Sequence, residues 1–255
     1  MDALTVNPKQ ALLALVLALG SGAALASSGG EGGLPLQPAR YDLENVPSLQ
    51  RGAKYFVNYC LGCHSLNYVR YQRLGQDLGI SDGQIKDLLF TAEKPTEMMR
   101  IAMPPLDAER WFGRAPPDLS LTARARGGDW IFNYLRSFYL DAKRPFGVNN
   151  ALLPNASMPH VLAELQGYQR AVFKLEAAVG GGEHEVLAGF ETVTPGKLSA
   201  DEYDSVARDL ANFLVYVSEP AQLKRMHLGF GVLFFLAVFF LLAYFLKREY
   251  WNDVH

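Results

Sequence analysis

The sequence predicts a mainly α-helical domain joined to one C-terminal transmembrane helix. Three patterns carry that expectation. Apolar residues recur at three- and four-residue spacings in several segments before residue 220. The run Leu228 to Leu246 carries no charge. A Cys60-Leu61-Gly62-Cys63-His64 motif closes the first of the helical patterns.

Taken in order, Pro47 suits the first turn of a helix, and Leu49, Ala53, Phe56, Val57 and Cys60 share its apolar face. Tyr68 to Leu74 extends or follows that helix. Ser81-Asp82 caps a short helix carrying Ile85, Leu88 and Leu89, and Thr96 to Ile101 reads as helix-like, whereas Pro95 and Pro104-Pro105 mark loop. Gly127-Gly128 introduces a helix from Asp129 to Leu140 with an apolar stripe of Trp130, Ile131, Tyr134, Leu135 and Phe138. Arg144 to Pro159, rich in Pro, Gly and Asn, reads as irregular loop. Val172 to Leu175 and Val186 to Val193, separated by Gly180-Gly181-Gly182, pair as a small hairpin. Ser199-Ala200-Asp201-Glu202 is a capping box that opens a helix through Val206, Leu210, Phe213, Leu214 and Val217, ending near Pro220. There is no internal repeat.

The two ends set the compartment. Residues 11 to 19 form a short uncharged apolar run, and Ala24-Leu25-Ala26 before Ser27 has the small-x-small pattern of a signal-peptidase site, so residues 1-26 read as a signal peptide. Leu228 to Leu246 matches a hydrocarbon core of ~30 Å at ~1.5 Å per residue, giving an anchor over 224-248 and a tail over 249-255. Lys224-Arg225 and Lys247-Arg248 bracket the span two against two, so charge alone does not orient it. Export does: residues 27-223 form a periplasmic domain, and the C-terminus stays in the cytoplasm of a bacterial inner membrane. With a net charge of −2, nucleic acid is not an implied partner.

Two cysteines three apart followed by histidine form the attachment signature of a c-type haem: both thiols reach the vinyl groups of one porphyrin, and His64 can ligate the iron. Zinc would want further Cys or His ligands, and Cys60 and Cys63 are the only cysteines. A thioredoxin-like thiol pair would follow a buried strand, whereas Gln50 to Tyr59 reads as helix. With both cysteines on haem, no structural disulfide is left. A methionine thioether opposite His64 would close the iron and make an electron-transfer centre. Met226 sits at the membrane edge, and Met98 and Met99 suit packing. Met103-Pro104 and Met158-Pro159 both remain open on this reading, with His160 as a nearby nitrogen alternative.

Tyr59-Cys60-Leu61-Gly62-Cys63-His64-Ser65-Leu66-Asn67-Tyr68, then Ala115-Pro116-Pro117-Asp118-Leu119-Ser120, Arg124-Ala125-Arg126-Gly127-Gly128, Ser157-Met158-Pro159 and an anchor ending in Lys247-Arg248 resemble, in that order, the cytochrome c1 family. The resemblance implies a class I cytochrome c-like haem domain with loop insertions and one covalent haem c. It places the ligand methionine after the Pro-Pro-Asp-Leu block, at Met158. It puts Arg126 on a haem propionate, Pro116 and Pro117 against the ring, and Trp130 near the haem. The implied role is that of the redox subunit of a quinol–cytochrome c oxidoreductase, with cytochrome b, a Rieske iron–sulfur protein, a cytochrome c acceptor and membrane lipid as partners. A membrane-anchored monohaem cytochrome serving another respiratory complex is the alternative. From Glu176 to Asp204, seven acids (Glu176, Glu183, Glu185, Glu191, Asp201, Glu202, Asp204) face one base, Lys197, and form a candidate steering surface for a basic cytochrome c.

Overall fold

A computed structural model describes residues 35–177 and 183–252. The signal segment and Gly180 to Gly182 lie outside the described residues. The first helix, α1 (Val46–Tyr55), starts where the Asn45 side chain accepts a hydrogen bond from the Ser48 amide, with Pro47 in the first turn. It runs on through a π-helical turn, Phe56–Cys60, into the Cys-x-x-Cys-His motif. Beyond the motif the expected helix over Tyr68 to Leu74 is in part a strand: β1 (Leu66–Arg70) pairs antiparallel with β2 (Met98–Met99). The same pairing replaces the helix-like reading of Thr96 to Ile101. Leu66, Val69 and Met99 are buried, so packing of this face outweighs the weak helical spacing of the segment.

Helices α2 (Tyr71–Leu78) and α3 (Asp82–Leu88) follow; Gly79 ends α2 in the left-handed region at φ 65°, and Ser81 and Gln84 form a reciprocal capping box on α3. The loop expected at Pro104-Pro105 instead opens α4 (Pro105–Phe112), because proline is pre-set for a first helical turn. After α5 (Thr122–Arg126), helix α6 (Gly128–Arg136) stops four residues earlier than the expected Leu140, since Phe138 pairs into a short ribbon of β3 (Phe138–Leu140) and β4 (Val148–Asn150). One turn, α7 (Ala163–Gln166), leads to the long antiparallel hairpin β5 (Gly167–Ala177) and β6 (Glu183–Pro195), wider than the expected pair of short strands. Ser199 and Glu202 then form the capping box of α8 (Ala200–Ser218), and α9 (Gln222–Tyr250) carries the apolar run. The domain is thus mainly helical, and its sheets are two-stranded ribbons.

The core lies where α1 and α6 pack on α8. At Gly52 the α1 and α8 backbones nearly touch: a Cβ there would stand 2.2 Å from the Asp209 carbonyl oxygen and 2.6 Å from Phe213 Cβ. Beside this crossing, Asp209 is a carboxylate inside a helix-helix interface. Its oxygens accept from Ser48 Oγ at 2.6 Å and from Arg51 Nε and Nη2 at 2.6 and 2.9 Å, which offsets its burial. Phe56 meets Phe213 at 5.6 Å, so α8 fixes the turn that presents the motif. On its other flank, Tyr203 of α8 donates its hydroxyl to the Leu135 carbonyl at 2.8 Å and so fixes α6. The two helices that flank the motif and the Trp130 stripe are therefore held to one support.

Candidate haem site

The motif sits on the C-terminal turn of the π-helical segment rather than on a regular α-helix. The Leu61 amide reaches back to the Phe56 carbonyl at 2.9 Å, and the Cys60 carbonyl accepts from both Cys63 and His64, at 3.0 and 2.9 Å. That last bond spans four residues, so Cys60 and His64 stand one turn apart as the attachment chemistry needs, and π turns of this kind gather at functional sites. Cys60 and His64 are buried, Cys63 half-exposed, and neither thiol is in a disulfide. Burial pushes the Cys60 thiol up to about 12, with Cys63 adding to the rise, and burial raises Cys63 too. A redox-active Cys-x-x-Cys needs the opposite shift, so the thioredoxin-like reading loses its chemistry.

His64 Nδ1 lies 2.8 Å from the Pro117 carbonyl oxygen. A carbonyl only accepts, so Nδ1 carries the proton and Nε2 is left with its lone pair, the arrangement of a metal-ligating imidazole. Burial lowers the His64 pKa against the opposing pull of Pro117 and Asp118, which favours the neutral ring. The segment bearing Pro117 is bound to the chain just after the motif. Leu119 donates to the Ser65 carbonyl at 3.0 Å, the Asn67 amide to Asp118 Oδ2 at 2.8 Å, and the Tyr68 amide to Ser120 Oγ at 3.2 Å. Pro116 is half-buried and Pro117 exposed, and the observed role of Pro117 is that of its carbonyl.

A second wall takes every fourth residue from the end of α5, through α6, to the start of β3. The Arg126 guanidinium stands 5.1 Å above the Trp130 ring; Trp130 stacks on Tyr134 at 4.9 Å and 12°; Tyr134 meets Phe138 edge-on at 5.2 Å. The stripe expected to be either plain core or part of a haem wall is thus a single aromatic column. Its Tyr134 hydroxyl donates to Met158 Sδ at 3.5 Å, and burial raises the phenol pKa, so the donor stays protonated. Met158 itself lies on a loop fixed by two asparagines: Asn149 Oδ1 takes the Asn155 amide at 2.8 Å, and Asn150 Oδ1 takes the Leu152 amide at 2.9 Å. The other two ligand candidates sit differently. His160 stacks on Phe138 at 5.0 Å and meets Tyr168 edge-on, with burial lowering its pKa to about 4, and half-buried Met103 precedes α4.

Trp130 Nε1 is buried and has no hydrogen-bond partner among the described residues. A buried N–H left unpaired costs ~1–3 kcal/mol. A carboxylate would complete such a donor, and with the Arg126 guanidinium over the same ring the residues present fit a haem cofactor. No three His, Cys, Asp or Glu side chains among the described residues converge as a metal-ion site of their own.

The model of the Cytochrome C1 family matches residues 39–254, which is most of the chain. The chain belongs to the cytochrome c1 family. Cytochrome c1 of Allochromatium vinosum is 51% identical over 97% of this chain and 100% of its own length. The ammonia monooxygenase gamma subunit of Nitrosomonas europaea is 44% identical over 90% of this chain and 92% of its own. A mitochondrial cytochrome b-c1 complex catalytic subunit of Candida albicans is 26% identical over 81% and 72%. Membership implies a haem cofactor and electron transfer, and the apolar α9, none of it buried against the domain, fits a single membrane anchor in a cytochrome c1.

Two contributors escape the sequence-based reading. Tyr134 passes as one more apolar-face residue, because nothing in the spacing says that its hydroxyl points at a sulfur. The Pro117 carbonyl is invisible for a simpler reason: backbone acceptors leave no residue-type signal.

Proposed function

We propose that this chain holds one haem by thioether bonds from Cys60 and Cys63, that His64 Nε2 and Met158 Sδ ligate its iron, and that it relays electrons as the redox subunit of a ubiquinol–cytochrome c reductase. The single observation that carries the reading is the His64–Pro117 bond, which leaves Nε2 poised as a ligand one turn from Cys60. The group supplies one-electron chemistry when bound; the chain's residues bind, orient and tune it. Pro117 fixes the His64 tautomer and ring plane. Arg126 and Trp130 offer donors to the propionates, and Pro116 closes one side of the ring. No step in this role makes or breaks a substrate bond, and the isolated chain turns nothing over by itself.

The proposed partners are cytochrome b, a Rieske iron–sulfur protein as electron donor and a cytochrome c as acceptor. The proposed layout keeps residues 1-26 as signal peptide, 27-223 as the periplasmic haem domain, 224-248 as the anchor and 249-255 as the cytoplasmic tail. At ~1.5 Å per residue, α9 from Gln222 to Tyr250 is a helix of ~43 Å, long enough to cross both the hydrocarbon core and its interfaces. The acidic stretch is narrowed by its local partners. Glu191 pairs with Arg170 at 2.6 Å, Asp204 with Arg136 at 2.5 Å, and Glu202 caps α8; among the other acids of the stretch, Glu183 and Glu185 are the proposed steering residues.

One relative, 44% identical, bears a name from ammonia oxidation, and this favours as second reading an anchored cytochrome serving a different membrane complex. Detergent extraction of native membranes, followed by identification of subunits that co-purify with this chain, separates the two. A b-type cytochrome and an iron–sulfur protein in the same particle support the reductase; a particle lacking both contradicts it.

A further inference from the structure

We infer that Tyr134 is a positioning residue for the sixth ligand, its hydroxyl holding Met158 Sδ and raising the reduction potential of the haem. The inference rests on Met158 as iron ligand and adds a residue that the family motifs do not contain. Three observations carry it. The hydroxyl donates to the sulfur at 3.5 Å, within the longer range usual for sulfur acceptors. The ring is clamped, stacked on Trp130 at 4.9 Å and edge-on to Phe138 at 5.2 Å, so its rotamer is set by neighbours rather than by the sulfur. The backbone of Tyr134 is tied to the ligand loop, since Asn150 Nδ2 donates to the Tyr134 carbonyl at 2.8 Å and Asn150 Oδ1 accepts from Leu152 and Leu153.

A thioether sulfur has two lone pairs. With one directed to iron, the other can accept the Tyr134 O–H, and that bond draws electron density away from the sulfur. The ferric ion gains more from a strong donor than the ferrous ion does, so weakening the donor favours the ferrous state. The phenol is neutral in both states, so it adds no net charge to the site, and its effect falls on the sulfur.

The test uses the full chain in its membrane complex, with redox titration and optical spectra of the ferric protein. Tyr134→Phe removes the hydroxyl and keeps the ring. The ferrous-to-ferric ratio at a fixed ambient potential should fall a few-fold, by up to about tenfold, tenfold being 59 mV for one electron. The sulfur-to-iron charge-transfer band should persist. Phe138→Leu loosens the same column but keeps the hydroxyl, and should move the ratio less. An unchanged ratio in Tyr134→Phe, an equal shift in Phe138→Leu, or loss of the band in Tyr134→Phe each overturns the proposal. Failure of the ligand reading looks different: Met158→Leu would then leave the band and potential of the parent protein untouched.

Discussion

The Asp209 cluster permits a quantitative test of what holds α1 against α8. The Asp209 side chain is 7% exposed and that of Arg51 53%, so the two ends of this ion pair differ in what they lose when the other is removed. In Asp209→Ala, Arg51 swings into water and its loss is that of a surface pair, up to ~1 kcal/mol. Buried Ser48 loses its acceptor at ~1–3 kcal/mol. The sum is about 1–4 kcal/mol. In Arg51→Ala the carboxylate stays buried with Ser48 as its main donor, and leaving one buried charge uncompensated costs ~3–5 kcal/mol. The partner exposed to water should therefore be the more costly one to delete. For a domain of about 200 residues, each kcal/mol corresponds to ~2–4 °C in Tm, so Asp209→Ala lowers it by roughly 2–16 °C and Arg51→Ala by more. Near-ultraviolet circular dichroism of the purified complex, at one scan rate, measures both. A loss below ~2 °C for Asp209→Ala, or a milder effect of Arg51→Ala, would refute the argument.

Three further outcomes follow from the same geometry. Gly52→Val should abolish accumulation of haem-stained protein, because its Cβ would overlap the Asp209 carbonyl oxygen at 2.2 Å, whereas Gly62→Ala inside the motif meets nothing within 4 Å and should accumulate normally. Trp130→Phe should keep the covalent haem but lower its potential, since the lost N–H no longer offsets propionate charge; an unaltered potential would place Nε1 away from the propionates. Glu183→Lys with Glu185→Lys should slow reduction of a basic cytochrome c and flatten its salt dependence, and unchanged kinetics at low salt would remove the steering role.

Much of this was legible in the residues. The cap at Ser81, the capping box at Ser199 and the uncharged run from Leu228 are local signals, and they mark α3, α8 and α9 where the structure has them. What sequence reasoning got wrong depended on tertiary pairing. Met98 and Met99 look helical alone, yet become a strand because Leu66 to Arg70 lies alongside, and α6 gives way to β3 because Phe138 pairs with Asn150. Proline misled in one place: Pro104-Pro105 reads as a breaker, while Pro105 sits at the first turn of α4, where its missing N–H costs nothing. For the site, Cys60, Cys63 and His64 declare themselves by spacing. Met158 needed a family resemblance, since Met103 has the same following proline, and the structure adds what spacing could not: a hydroxyl on the Met158 sulfur and a carbonyl on His64.

The assignment of the iron's two axial ligands is tested most directly by a redox titration of the haem in membranes carrying Met158→Leu beside the parent protein. Replacing a thioether by an inert side chain should leave the haem covalently bound through Cys60 and Cys63 and lower its potential on the order of 100 mV or more, within the ~0.8 V range over which axial ligands set haem potentials. A parent-like potential in Met158→Leu would contradict the His64/Met158 pair and return the sixth position to Met103 or His160.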